Sequence, residues 1–301
     1  MATRSLAALL AAGLSLAALS IAAGERLTRR APHAHETLPS VDWAEVTPIS
    51  LPAQDGASVP AWAFDVNEVA PTVILLHPNG SSRSGMVQVA RAWATLGYNS
   101  VAVTQRAHGD ASGERNDFGW SARLDAMAAL DWAIARRTTP VVLHGSSLGA
   151  AAICHASPGI PSASWERISG IVLESPYTDL SAAVRARTAM HLPPLLDWVA
   201  AEALELAAPL FVSTPETESP LRSFKAVPAD CPVLLLAGTD DRHAPPSQAM
   251  EYRASRHSWC TLVTEEVGHV GWFADAHHGQ GVLYLAALKP WVAALPGAPG
   301  R

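Results

Sequence analysis

The chain has 301 residues, of which 49% are hydrophobic and 16% charged, and its formal net charge is −6. That length holds one large α/β domain or two small ones with a substantial core. The mild acidity gives no electrostatic footprint for DNA or RNA, so nucleic acid is excluded as a partner. Cys154, Cys231 and Cys260 form no C-x-x-C pair and no metal-ligand spacing. They read as buried thiols, with a Cys231 to Cys260 disulfide as the alternative in an exported protein.

The first thirty residues stand apart. After Arg4 an uncharged stretch rich in Ala and Leu runs from Ser5 to Gly24, followed by Glu25, Arg26, Arg29 and Arg30. Such a run of roughly 20 residues suits a membrane-spanning helix, and Ser20-Ile21-Ala22 suits signal-peptide cleavage. Residues 1–24 are therefore read as a signal peptide or membrane anchor able to insert in a membrane, which makes the protein exported or membrane-anchored, in the periplasm or cell envelope of a bacterium. Residues 25–40, with His33 and His35, read as a solvated linker, residues 41–296 as the folded domain and 297–301 as a tail.

Residues 43–51 and 58–66 read as two strands turned at Asp55-Gly56. From there apolar runs alternate with amphipathic stretches, as in a parallel sheet with crossover helices. Strands are expected over 72–77, 100–104, 141–144, 168–174, 232–237 and 259–263, and helices over 86–96, 121–136, 148–156, 180–191, 246–256 and 280–294.

More than fifty residues separate Glu174 from Pro232. An insertion there sits above the carboxyl ends of the strands, where ligands bind in open α/β sheets. Residues 178–228 are expected to form a small helical cap, with an ordinary crossover carrying one extra helix as the alternative. Its apolar residues, among them Leu195, Leu196, Trp198, Val199, Leu204, Leu206, Leu210 and Phe211, either line an acyl pocket or pack on the body. Glu202, Glu205, Glu216 and Glu218 either meet a substrate amine or face solvent.

Chemistry concentrates where the apolar run Val141-Val142-Leu143-His144 stops at Gly145-Ser146-Ser147-Leu148-Gly149. Gly145, Ser147 and Gly149 fit the G-x-S-x-G nucleophile elbow, a strand, tight turn and helix that holds a serine exposed at the sheet edge. A serine nucleophile needs a base, a carboxylate to orient that base, and donors for the oxyanion. Gly238-Thr239-Asp240-Asp241 and Gly268-His269 follow the next-to-last and last expected strands, so both emerge at that same edge. The chain order Ser147, carboxylate, His269 is the one this elbow uses. Asp240 competes with Asp241, and His243, His277 and His278 compete with His269. Ser146 is read as structural.

These motifs together resemble the α/β-hydrolase superfamily, specifically its bacterial serine aminopeptidase and monoacylglycerol-lipase-like members, over about Val46 to Pro296. Leu75-Leu76-His77-Pro78-Asn79-Gly80 is similar to the family's His-Gly segment, with Pro78 where glycine is usual. Arg106-Ala107-His108-Gly109 resembles its Arg-Gly-x-Gly loop, with Ala107 replacing a common glycine. Gly119-Trp120, Asp125, Asp131-Trp132 and Glu174-Ser175-Pro176-Tyr177 find counterparts as well. Gly238 to Pro245 resembles the Gly-x-x-Asp-x-x-x-Pro pattern, which selects Asp241 over Asp240.

The resemblance implies an α/β-hydrolase fold, a mostly parallel sheet flanked by helices with a small helical cap. It implies the triad Ser147, Asp241 and His269, with the oxyanion held by the backbone N–H groups of Asn79 and Leu148. The expected function is hydrolysis of small or medium acyl esters through an acyl-enzyme, with a small-molecule ester as partner and neither metal nor organic cofactor. A peptidase or amidase with the same triad, a cofactor-free perhydrolase or haloperoxidase, and a catalytically silent binding protein are the alternatives. Ser147 in the elbow argues against a haloalkane dehalogenase, which carries aspartate there.

Overall fold

The computed structural model describes residues 2–31, 36–212, 219–256, 258–273 and 281–299, with residues 2–12 described by their backbone alone. His33, His35, Glu216, Glu218, His277 and His278 lie outside the described residues. Eight strands form one sheet: β1 (Glu45–Pro52), β2 (Ser58–Asp65), β3 (Thr72–Leu76), β4 (Asn99–Val103), β5 (Val141–Ser146), β6 (Ile168–Glu174), β7 (Val233–Gly238) and β8 (Cys260–Glu265). Their order is β1-β2-β4-β3-β5-β6-β7-β8. The β1/β2 and β2/β4 pairs are antiparallel, and every pair from β4 to β8 is parallel.

The helices are α1 (Ala2–Thr28), α2 (Val87–Thr95), α3 (Arg123–Arg136), α4 (Leu148–Ala156), α5 (Ser162–Trp165), α6 (Leu180–His191), α7 (Pro194–Ala207), α8 (Pro220–Phe224), α9 (Pro246–Ala254) and α10 (Val282–Ala294). A strand buried on both faces reads as a continuous apolar run, and β3 is such a strand. With period two, Val73 and Leu75 join Trp93, Leu288 and Trp291 of α2 and α10 on one face. Ile74 and Leu76 join Leu130, Ile153, Phe224 and Tyr252 of α3, α4, α8 and α9 on the other. All the strands and helices expected from the sequence are present at nearly the expected bounds.

The N-terminal segment differs from the expected linker. Glu25 to Thr28 complete α1, and Glu25 pairs with Arg115 at 2.8 Å. The Arg30 N–H donates to the Glu114 carbonyl at 3.2 Å and the Ala31 N–H to the Ala107 carbonyl at 3.0 Å. The Glu36 carboxylate lies 2.9 Å from Arg83 Nε, with only 2% and 6% of the two side chains exposed. These partners are far away in sequence, so no local pattern announces them. Among the described residues no helix is long and apolar enough to cross a membrane; α1 lies along α7.

Helices α6 and α7 form a hairpin joined by Arg185 to Glu202 at 2.8 Å and by the Thr188 hydroxyl to Asp197. The last part of the insertion returns to the body, where Phe224 is fully buried against Tyr252. Leu195, Leu196, Trp198, Leu206 and Leu210 are exposed, so these five do not pack on the body. The buried positions of α7 are Ala201 and Ala207, small side chains that let neighbouring helices approach closely. All three cysteines are free thiols, and no Cys231 to Cys260 disulfide forms.

Candidate active site

Sheet register assembles the site. Leu76 pairs with Gly145 across β3 and β5, so the segments carrying Asn79 and Ser147 leave the same edge side by side. Gly238 pairs with Glu265 across β7 and β8, which brings out Asp241 and His269 a few residues later. At the elbow Ser147 adopts φ 50° and ψ −104°, a conformation that non-glycine residues rarely hold. A side chain on Gly145 would meet the Gly149 carbonyl carbon at 2.3 Å, and one on Gly149 would meet the Leu76 carbonyl oxygen at 2.2 Å. Strand and helix therefore cross where only glycine fits. The Ser147 N–H donates to the Glu174 carbonyl at 2.8 Å and fixes the elbow against β6.

Ser147 Oγ lies 2.9 Å from His269 Nε2. His269 Nδ1 lies 2.8 Å and 3.0 Å from the two Asp241 carboxylate oxygens. Asp241 Oδ1 also accepts the N–H groups of His243 and Ala244, both at 2.9 Å. Burial pushes the Asp241 carboxyl up, but the hydrogen bond and charge of His269, with the Ala244 N–H, outweigh it and hold the group below its ordinary value. Asp241 thus remains a carboxylate that orients the imidazole. Its competitor Asp240 is exposed, and its N–H is tied to the Val267 carbonyl at 3.2 Å. His243 sits beside His269, ring centres 4.8 Å apart.

Asp241, His243 and His269 each place one possible ligand atom within 4.8 Å of the others. A cation there would have to draw His269 away from Ser147 or Asp241, because both of its ring nitrogens are engaged. The donor set therefore fits a proton relay better than a metal centre.

Leu148 opens α4, so its N–H is among the first donors of the helix, which have no acceptor within it. Asn79 follows β3 and is anchored by its side chain, Oδ1 accepting from Asn116 Nδ2 at 2.8 Å and from His108 Nε2 at 3.0 Å. His77 underlies this turn. Its Nδ1 contacts the Pro78 carbonyl at 2.8 Å and its Nε2 accepts the Gln105 N–H at 3.0 Å. Sequence motifs brought out Asn79 and His108 but missed the Asn116 anchor, which belongs to no motif. Glu174 was also missed as a neighbour of the site: it accepts the Ser146 hydroxyl at 2.6 Å, and burial raises its carboxyl above the ordinary value.

The sequence from residue 73 to residue 282 matches the alpha/beta hydrolase family. The chain belongs to that family. Esterase Pf2001 of Pyrococcus furiosus has a similar structure, with 20% identity and a TM-score of 0.67, over 88% of this chain and 98% of that one. The esterase EaEST of Exiguobacterium antarcticum matches at 13% identity and TM-score 0.59, over 82% and 100% of the chains. XC6422 of Xanthomonas campestris, described as an α/β serine hydrolase without lid, matches at 19% identity and TM-score 0.56, over 88% and 100%. At such identities these likenesses concern the fold. No curated protein matches the sequence. This α/β hydrolase therefore holds a serine, a histidine and a carboxylate in one hydrogen-bonded chain at the edge of its sheet.

Proposed function

We propose that this hydrolase cleaves carboxylic esters of small or medium acyl chains through an acyl-enzyme on Ser147. The 2.9 Å contact of His269 Nε2 with Ser147 Oγ, backed by Asp241 on Nδ1, carries the reading. His269 takes the serine proton as Oγ attacks the ester carbonyl carbon, and Asp241 stabilises the imidazolium that forms. The oxyanion is received by the N–H groups of Asn79 and Leu148. His269 then passes its proton to the departing alkoxide, leaving Ser147 acylated. Water, deprotonated by His269, attacks the acyl carbonyl; the proton returns to Ser147 and the carboxylate product leaves.

Similarity to proteins described as esterases supports an ester as the substrate. The reading of the N-terminus as an export or anchoring segment rests on its sequence alone. The test is turnover of a chain-length series of p-nitrophenyl esters by the full chain and by Ser147→Ala. The proposal predicts turnover that declines for long acyl chains and is lost in the variant. Equal turnover by both proteins, or none by either when folded, would refute it.

A further inference from the structure

One charged side chain on the cap has no counterpart in the relay. Arg187 stands on α6 four residues after Ala183, and residues at that spacing share a helix face. Ala183 is buried against Ala151, Tyr177 and Ala244. Ala151 lies one turn beyond Ser147 in α4, and Ala244 three residues beyond Asp241. The Ala183 face of α6 is therefore turned towards the triad loops, and Arg187 extends that face. Its position is bracketed electrostatically as well, since its charge interacts with those of Asp241 and His243.

The contrast with its neighbour is informative. Arg185 is exposed and pairs with Glu202 at 2.8 Å and Glu205 at 3.1 Å. Arg187 is partly buried, yet among the described residues no carboxylate lies within ion-pair distance of it; its guanidinium donates only to the Ala183 carbonyl, at 2.9 Å. Asp241 is not available as a counter-ion, because its oxygens already take His269 and the His243 and Ala244 N–H groups. Burial accordingly pulls Arg187 below its ordinary value, and the negative charge of Asp241 only offsets that effect in part. A guanidinium withdrawn from water without a paired anion is unfavourable, and its planar fork matches a carboxylate.

We propose that Arg187 is a specificity-determining residue that pairs with a carboxylate on the substrate, so that the preferred esters are half-esters of dicarboxylic acids or otherwise carry a free acid group. This rests on the ester-hydrolase reading above: the ester carbonyl sits at Ser147 and the free carboxylate reaches the cap. Selection acts on binding, through KM more than kcat.

The test uses two esters of equal chain length, monomethyl adipate, which is anionic, and methyl hexanoate, which is neutral. Each is titrated calorimetrically into full-length Ser147→Ala, with and without Arg187→Gln, and its turnover by the wild-type chain is followed by proton release. The expected result is at least tenfold tighter binding of monomethyl adipate, a preference that Arg187→Gln abolishes and Arg187→Lys partly keeps. Equal affinities, or a preference untouched by Arg187→Gln, would overturn the proposal. Failure of the wild-type chain to hydrolyse either ester would instead count against the hydrolase reading, with the binding comparison still deciding the role of Arg187.

Discussion

Asn116 donates from Nδ2 to the Asn79 side-chain oxygen at 2.8 Å, while its own Oδ1 takes the Phe118 N–H at 2.9 Å. The second bond sets which way the Asn116 amide faces, and the first passes that orientation to the turn that carries the Asn79 N–H. Asn116→Ala removes an anchor of about 1 kcal/mol and lets the proposed oxyanion donor wander. Steady-state kinetics should show kcat lower by about fivefold with little change in KM. An unchanged kcat would mean that Asn79 needs no such anchor.

Asp241→Asn keeps the shape of the acid but removes its charge and favours the wrong imidazole tautomer. In serine triads that change costs about 10⁴ in kcat. The same loss is expected here for ester turnover, with KM far less affected. Asp240→Asn, at an exposed neighbour outside the relay, should stay near wild type.

Burial also predicts sensitivity to acid. It pushes His77 and His144 down to about 3 and His155 down to about 4, with the nearby charges of His108 and Arg123 adding to the effect at His77 and His155. The folded protein keeps these rings neutral, whereas the unfolded chain protonates them below about pH 6.5. Stability is therefore complete above about pH 6.5 and falls as the pH drops towards 4, because the unfolded state binds more protons. Each ring contributes on the order of 1.4 kcal/mol per pH unit within that window. The depressed Asp241 acts lower still: its stabilisation is present above the unfolded carboxyl value and is lost as the pH falls through its folded value. Urea unfolding across this range should show stability falling as the pH drops, and a flat profile would contradict the assignment.

Ala107 occupies a left-handed conformation, φ 60°, the region that favours glycine. The methyl group costs about 1–2 kcal/mol there, against about 0.5–1 kcal/mol for the extra chain entropy of glycine. Ala107→Gly should raise the unfolding free energy by up to about 1 kcal/mol in denaturant titration. A destabilised variant would show that the Ala107 side chain, itself buried, contributes more by packing.

Much of this molecule is legible in its sequence because the relevant signals are local. Strands buried on both faces read as unbroken apolar runs, and the elbow is a five-residue pattern whose glycines are required by contacts of 2.2–2.3 Å. Asp241 and His269 follow directly on strands, so their edge of the sheet is predictable even though 122 positions separate Ser147 from His269. What escaped the sequence are long-range pairings. Glu36 with Arg83, Thr28 with Asn116 and Asn116 with Asn79 join residues that share no periodicity or motif. The apolar residues of the cap are harder to place for a related reason: composition suggests one inward face, but the small residues Ala201 and Ala207 are the buried ones, Val199, Leu204 and Phe211 are half-buried, and Leu195, Leu196, Trp198, Leu206 and Leu210 stay outside.

The most direct test of the account is covalent. Full-length protein is treated with a fluorophosphonate probe, digested, and the labelled peptide identified by mass spectrometry, with Ser147→Ala and His269→Ala in parallel. Stoichiometric labelling on Ser147 alone, lost in the first variant and slowed by orders of magnitude in the second, is the predicted result. Labelling at another serine, or none in folded wild-type protein, would contradict a nucleophile at Ser147.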